Sequence, residues 1–180
     1  MATHAAFLRG MNVGGHRITN DDLRAAFADV GFAGAGVFRA SGNVAIEAGD
    51  ASDAELAERI EEGLEKSLGY AVPTFLRAAE EIRALALQEP FEPADLEASK
   101  GKLQVDLLRS RPTKRERDAV LAHSTDQDRL AWSTGDELFW LPSGGTLESG
   151  LDFKALEKLC GVATRRTKGT IDQMAAKFFG

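Results

Sequence analysis

The chain is poor in reactive side chains, with one cysteine, three histidines and one tyrosine in 180 residues. A lone Cys160 excludes an internal disulfide and suits a reducing compartment. His4, His16 and His123 are scattered without the spacing of metal ligands, so no metal site is expected. No apolar run approaches the ~20 residues of a membrane span. Met1-Ala2-Thr3-His4 has no basic stretch leading into an apolar one, so no secretory signal is expected and the expected location is cytoplasmic. The net charge of −6 opposes nucleic-acid coating, which relies on Lys and Arg to neutralise phosphates. No Ser-His-Asp arrangement can be assembled, and nothing calls for a cofactor. What is present, 43% hydrophobic and 28% charged residues, is the composition of a globular protein.

Periodicity and punctuation divide the chain into elements. Ala5 to Arg9 reads as a buried strand. Thr19 and Asp22 make a capping box for a helix carrying Leu23, Ala26, Phe27 and Val30, which Gly31 stops. Val37 to Ala40 and Val44 to Glu47 form a hairpin around Ser41-Gly42-Asn43. Ser52 and Glu55 cap a helix with Leu56, Ile60, Leu64 and Leu68 on one face. Tyr70 to Arg77 is a strand whose Pro73 lacks a donor and belongs at a sheet edge.

After a short helix over Ala79 to Gln88 and the connector Pro90 to Pro93, the order begins again. Leu103, Val105 and Leu107 alternate with Lys102, Gln104 and Asp106 as a half-buried strand, with Asp106 on its solvated face. A helix opened by Thr113 and Glu116, a hairpin around Gly135-Asp136 with Asp136 and Glu137 at solvated positions, a helix over Leu151 to Cys160 and a final helix opened by Thr170 and Gln173 follow. Trp132 and Trp140, in adjacent strands of that hairpin, are expected to pack together. The expected fold class is α+β: two ferredoxin-like halves, βαββαβ then βαββα plus a C-terminal helix, with antiparallel sheets and helices on one face. Residues 1–78 and 79–180 are the corresponding subdomains.

One stretch resembles a phosphate-binding loop. In Phe7-Leu8-Arg9-Gly10-Met11-Asn12-Val13-Gly14-Gly15-His16-Arg17 the glycines at 10 and 15 have the spacing of G-x-x-x-x-G-K-[ST]. His16 and Arg17 replace the lysine and the magnesium-binding hydroxyl, and the helix starts too late for its N–H groups to cradle a phosphate. Two readings remain: a positive-φ turn at Gly14-Gly15, or an anion site in which Arg9, Asn12, His16 and Arg17 bring donors to a bare backbone. The first strand of a ferredoxin-like sheet pairs with the third, so Arg9-Gly10 and Ser41-Gly42-Asn43 should meet at one end of it. Arg165, Arg166 and Lys168 come just before the last helix, whose N-terminus favours anions; the plainer reading is a solvated basic turn, or ion pairs with nearby acids such as Glu148 or Asp172.

At Leu8 to Gly15 and at Ser41-Gly42-Asn43-Val44 the chain resembles the uncharacterised bacterial domain-of-unknown-function family 1697. Pro90-Phe91 and Thr164 to Ile171 also fit, so the resemblance spans essentially the whole chain. It implies a two-subdomain α+β fold and no established activity. Thr164, Arg166 and Thr170 match the family's Thr-Thr-Arg-Asn-Trp-Asn-Thr pattern, whereas Thr167-Lys168-Gly169 stands in place of its Asn-Trp-Asn centre. Glu148-Ser149-Gly150 stands where the family has an Arg-Ser-Lys-like stretch.

The expected function is binding of a small anionic ligand, a phosphate or carboxylate metabolite. Its site would join Arg9, Gly10, Asn12, Gly14 and Gly15 to Ser41, Gly42 and Asn43, with Arg166 from the other half. The alternatives are a nucleic-acid-binding module, opposed by the acidic balance, and a protein–protein adaptor using the sheet edge near Pro73. The residues name no reaction. Electrostatic stabilisation by these donors is the only catalytic device they suggest.

Overall fold

A computed structural model of the chain describes residues 1–39 and 41–180. In order, β1 (His4–Leu8), α1 (Asn20–Asp29), β2 (Gly36–Phe38), β3 (Asn43–Ile46), α2 (Asp53–Leu68) and β4 (Thr74–Ala78) come first. Two short helices follow, α3 (Ala79–Ala86) and α4 (Pro93–Ala98). Then come β5 (Gln104–Leu108), α5 (Lys114–Leu121), β6 (Asp128–Trp132), β7 (Leu138–Pro142), α6 (Phe153–Cys160), β8 (Ala163–Thr167) and α7 (Lys168–Phe178). The expected strand end at Ala40 lies outside the described residues. The chain divides into two compact units, Met1–Arg83 with Met174–Gly180, and Ala84–Gln173.

Three helices begin where the sequence places caps. Thr19, Ser52 and Thr113 each accept from the backbone N–H three residues on, and Asp22, Glu55 and Glu116 reach back to them. These bonds satisfy N–H groups that a helix start leaves open. They also hold the three carboxyls below their ordinary range, through the Thr19 and Ser52 hydroxyls and, for Glu116, chiefly the Thr113 N–H.

In the first unit the sheet order is β2-β3-β1-β4 and every neighbouring pair is antiparallel. β4 is at an edge as expected, but it begins at Thr74, so Pro73 precedes the strand rather than lying in it. Ala6, Leu8, Val44, Ile46 and Leu76 meet Leu23 and Phe27 of α1 and Leu56, Ile60 and Leu64 of α2 in one apolar cluster. The opposite face is buried too, at Ala5, Phe7, Ala45 and Phe75. There Phe178 of α7 meets Phe38 edge-on, with ring centroids 6.3 Å apart.

The second unit repeats the pattern, with sheet order β6-β7-β5-β8, again antiparallel throughout. Here the structure adds β8, so this half is βαββαβ rather than βαββα followed by a helix. Arg165 and Arg166 therefore lie in a strand and not in a basic turn before α7. The strand is hard to read because Ala163-Thr164-Arg165-Arg166-Thr167 has little apolar content. Its five residues are nonetheless in register with β5, from Ala163 opposite Leu108 to Thr167 opposite Gln104. The connector also contains α4, which opens on Pro93, a favoured first helical residue.

Asp106 is a further correction. It is 7% exposed, not solvated. Its carboxylate takes both Nε (2.6 Å) and Nη2 (2.7 Å) of Arg165, its cross-strand neighbour. The guanidinium carbon of Arg165 lies 4.5 Å from the Trp140 ring centre and 4.0 Å from that of Phe153. Trp132 and Trp140 share a core cluster, but the ring partner of Trp140 is Phe153 and Trp132 lies under Arg117. Glu137, expected in a solvated hairpin, is buried and accepts from the Ser133 hydroxyl at 2.6 Å.

Cys160 fills the same core, and its thiol bonds the Leu156 carbonyl at 3.1 Å. Burial, aided by the Asp106 and Glu116 carboxylates, raises its pKa from 9.0 to about 11. The folded state thus favours the protonated thiol. That contribution to stability is complete below pH 9 and is lost as pH rises toward 11. Denaturant titrations across this window should show stability falling in the natural chain, with a flatter pH dependence in Cys160→Ala. An equal slope in both would show that the thiol is not responsible.

Candidate functional site

The β1–α1 loop starts from two anchors. Leu8 N–H donates to the Gly42 carbonyl at 2.8 Å and Arg9 N–H to the Pro73 carbonyl at 3.0 Å. The loop base is thereby tied to both strands that flank β1. Since Phe7 pairs with Asn43, Arg9-Gly10 and Ser41-Gly42-Asn43 do lie at one end of the sheet. Gly10 then turns the chain with φ +75°.

Met11 drops into the core, 3% exposed. The Tyr70 hydroxyl donates to the Met11 carbonyl at 3.1 Å, and the His16 ring stacks on the Tyr70 ring with centroids 3.9 Å apart. Burial raises the Tyr70 pKa, so the phenol keeps the proton it donates. Ile18 N–H closes the loop on Asn12 Oδ1 at 3.3 Å. Between these fixed points Gly14 and Gly15 take φ of +65° and +87°, the left-handed turn expected there. Residues 12–17 are exposed.

The Ser-Gly-Asn turn is built for rigidity. Asn43 is fully buried, and its amide donates to the Phe38 carbonyl at 3.0 Å and to Ser41 Oγ at 2.8 Å. Its side chain therefore holds the turn, whereas Ser41 is exposed. Arg166 belongs to the second unit. Its Nη1 donates to Thr164 Oγ1 at 3.0 Å and to the Arg165 carbonyl at 2.7 Å, and burial lowers its pKa to about 10. Arg77 of β4 occupies the corresponding place in the first unit, with Nη1 on the carbonyl of the residue before it at 2.7 Å. Sequence reasoning missed the Tyr70–Met11 anchor, whose one signal was the chain's single tyrosine.

The two halves form the β1–α1 connection differently. In the second half β5 reaches α5 through residues 109–113 only, and Arg109 N–H donates to the Val162 carbonyl at 3.1 Å as Arg9 does to Pro73. In the first half the same step takes residues 9–19, more than twice the length.

Two antiparallel four-stranded sheets with this loop define an α+β protein of two βαββαβ halves. Residues 1–139 match the family described as protein of unknown function (DUF1697), and the chain belongs to that family. Among solved structures the chain is similar to the conserved bacterial protein SP0830 from Streptococcus pneumoniae, with a TM-score of 0.69. That match covers 100% of this chain and 99% of the other at 16% identity, so it speaks for the fold alone. No curated protein matches. Among the described residues no helix is long and apolar enough to cross a membrane.

Proposed function

We propose that the protein binds a small anionic ligand, a phosphate- or carboxylate-bearing metabolite, on the Arg9–Gly15 loop beside the Ser41–Asn43 turn. The observation that carries this reading is the length of the β1–α1 connection. The second half makes the same fold step with residues 109–113, so topology does not require the long loop. The additional residues are exposed at Asn12 to Arg17. Their left-handed glycines leave backbone N–H groups uncovered by side chains, as in anion-binding nests. Arg9 and Arg17 supply positive charge, and Arg17 makes no ion pair with a described residue. Fixed anchors at Tyr70, Asn12 and Asn43 hold the loop in shape, so little conformational entropy opposes binding.

Calorimetric titration with inorganic phosphate and with citrate tests the reading. Saturable binding is expected in the natural chain, weakened about tenfold or more in Arg9→Ala through the lost charge-assisted bond. Equal affinity in Arg9→Ala would remove the loop from the site.

A further inference from the structure

The second unit holds a groove of about 750 Å3 that the anion-binding reading leaves unused. Its walls are the turn before β6, the turn after β7 and the segment leading into α6. Asp128, the first residue of β6, lines it and is 4% exposed. One carboxylate oxygen, Oδ1, accepts from Trp140 Nε1 at 2.8 Å and from Ser149 Oγ at 2.7 Å. Both donors are neutral, and no Lys, Arg or His among the described residues pairs with Asp128.

The other oxygen, Oδ2, accepts no bond from any described residue. Among the described residues Asn20 Oδ1 is the one buried side-chain atom sealed away without a partner. Asp128 Oδ2 is thus unsatisfied but not sealed, and opens on the groove that Asp128 lines. A carboxylate withdrawn from water without a counter-charge is unfavourable. The two donors on Oδ1 hold it in one orientation and present Oδ2 outward. Of the other ionisable residues that line the groove, Glu148 and Asp152 are acids and His123 carries an imidazole, and neither Lys nor Arg lines it. The groove therefore favours positive charge.

We propose that this groove binds a small organic cation, whose ammonium or guanidinium group donates to Asp128 Oδ2 with Glu148 and Asp152 on the rim. A metal ion suits it less well, because among the described residues no three His, Cys, Asp or Glu side chains gather to hold one. The cation's N–H groups supply the donor and the charge that Oδ2 lacks, and the Trp140 indole on Oδ1 places a fluorophore one carboxylate away.

Titration of the full chain with agmatine, followed by calorimetry and tryptophan emission, tests this. Saturable binding is expected, with weakening as salt rises. Asp128→Asn keeps an Oδ1 acceptor for Trp140 and Ser149 and removes only the charge, so binding should weaken about tenfold or more. Circular dichroism checks that the variant is folded. If it is not, Glu148→Gln combined with Asp152→Asn, both at exposed positions, should weaken binding about threefold. Undiminished affinity in the folded variant used, absence of saturable agmatine binding to the natural chain, or displacement of agmatine by stoichiometric magnesium would each overturn the proposal. Arg9→Ala should leave agmatine binding unchanged, which separates this groove from the anion site.

Discussion

Asp106→Ala is expected to lower the unfolding free energy by about 3 kcal/mol, the low end for a buried ion pair that loses one partner. Asp106 is buried while the Arg165 side chain stays 30% exposed, and partial water access to the guanidinium sets the lower figure. Without the carboxylate, Arg165 remains over the Trp140 and Phe153 rings with no counter-charge, and those rings only partly compensate. The pair itself need not be strongly stabilising. Asp106→Leu with Arg165→Met, of similar volume, should therefore recover most of the loss. Chemical denaturation of the single and double variants measures both. A single-variant loss below about 1 kcal/mol would place the pair with ordinary surface bridges. The same substitution removes one of the charges that raise the Cys160 thiol, so its titration should move down together with the loss of stability.

Gly42→Ala should destabilise the first unit by about 2–4 kcal/mol, combining a left-handed backbone with an overpacked contact. Gly42 has φ +75°, and a Cβ there would lie 2.8 Å from Leu8 Cβ. Leu8 cannot swing that atom aside, because its N–H is bonded to the Gly42 carbonyl. Gly49 supplies the control, with φ +65° and no atom within 4 Å of an added Cβ. Gly49→Ala should cost only the backbone share, about 1–2 kcal/mol. The difference between the two thermal midpoints isolates the contact with Leu8. Equal losses would mean that the hairpin shifts freely away from β1, and that the Ser41–Asn43 turn is not fixed against the loop.

These two sites also show what the residues disclosed unaided. The Ser-Gly-Asn turn and its meeting with Arg9-Gly10 were legible, because local turn chemistry and antiparallel pairing of β1 with β3 leave one arrangement. The capping boxes at Thr19, Ser52 and Thr113 were legible for the same reason, since each is complete within four residues. Asp106 was misread because alternation within a strand sees only that strand. Its partner Arg165 lies 59 positions on, in a strand whose side chains are held by charge and ring contacts rather than by apolar burial. Tyr70 and Met11 are also 59 positions apart. The Asp128 groove was invisible for a related reason: three separate turns build it, and none is unusual alone.

The division of the chain into units has a consequence for its synthesis. The first unit is closed by Met174–Gly180, with Met174, Ala175 and Phe179 buried and Phe178 against Phe38. A ribosome makes the whole second unit before these residues appear. At translation rates of ~5–20 residues per second the nascent first sheet waits roughly 5–20 seconds for them. During that interval the Phe38 end of its second face lacks its ring partner and is open to a chaperone or to a neighbouring nascent chain. Refolding from denaturant, with both ends of the chain present from the start, has no such interval.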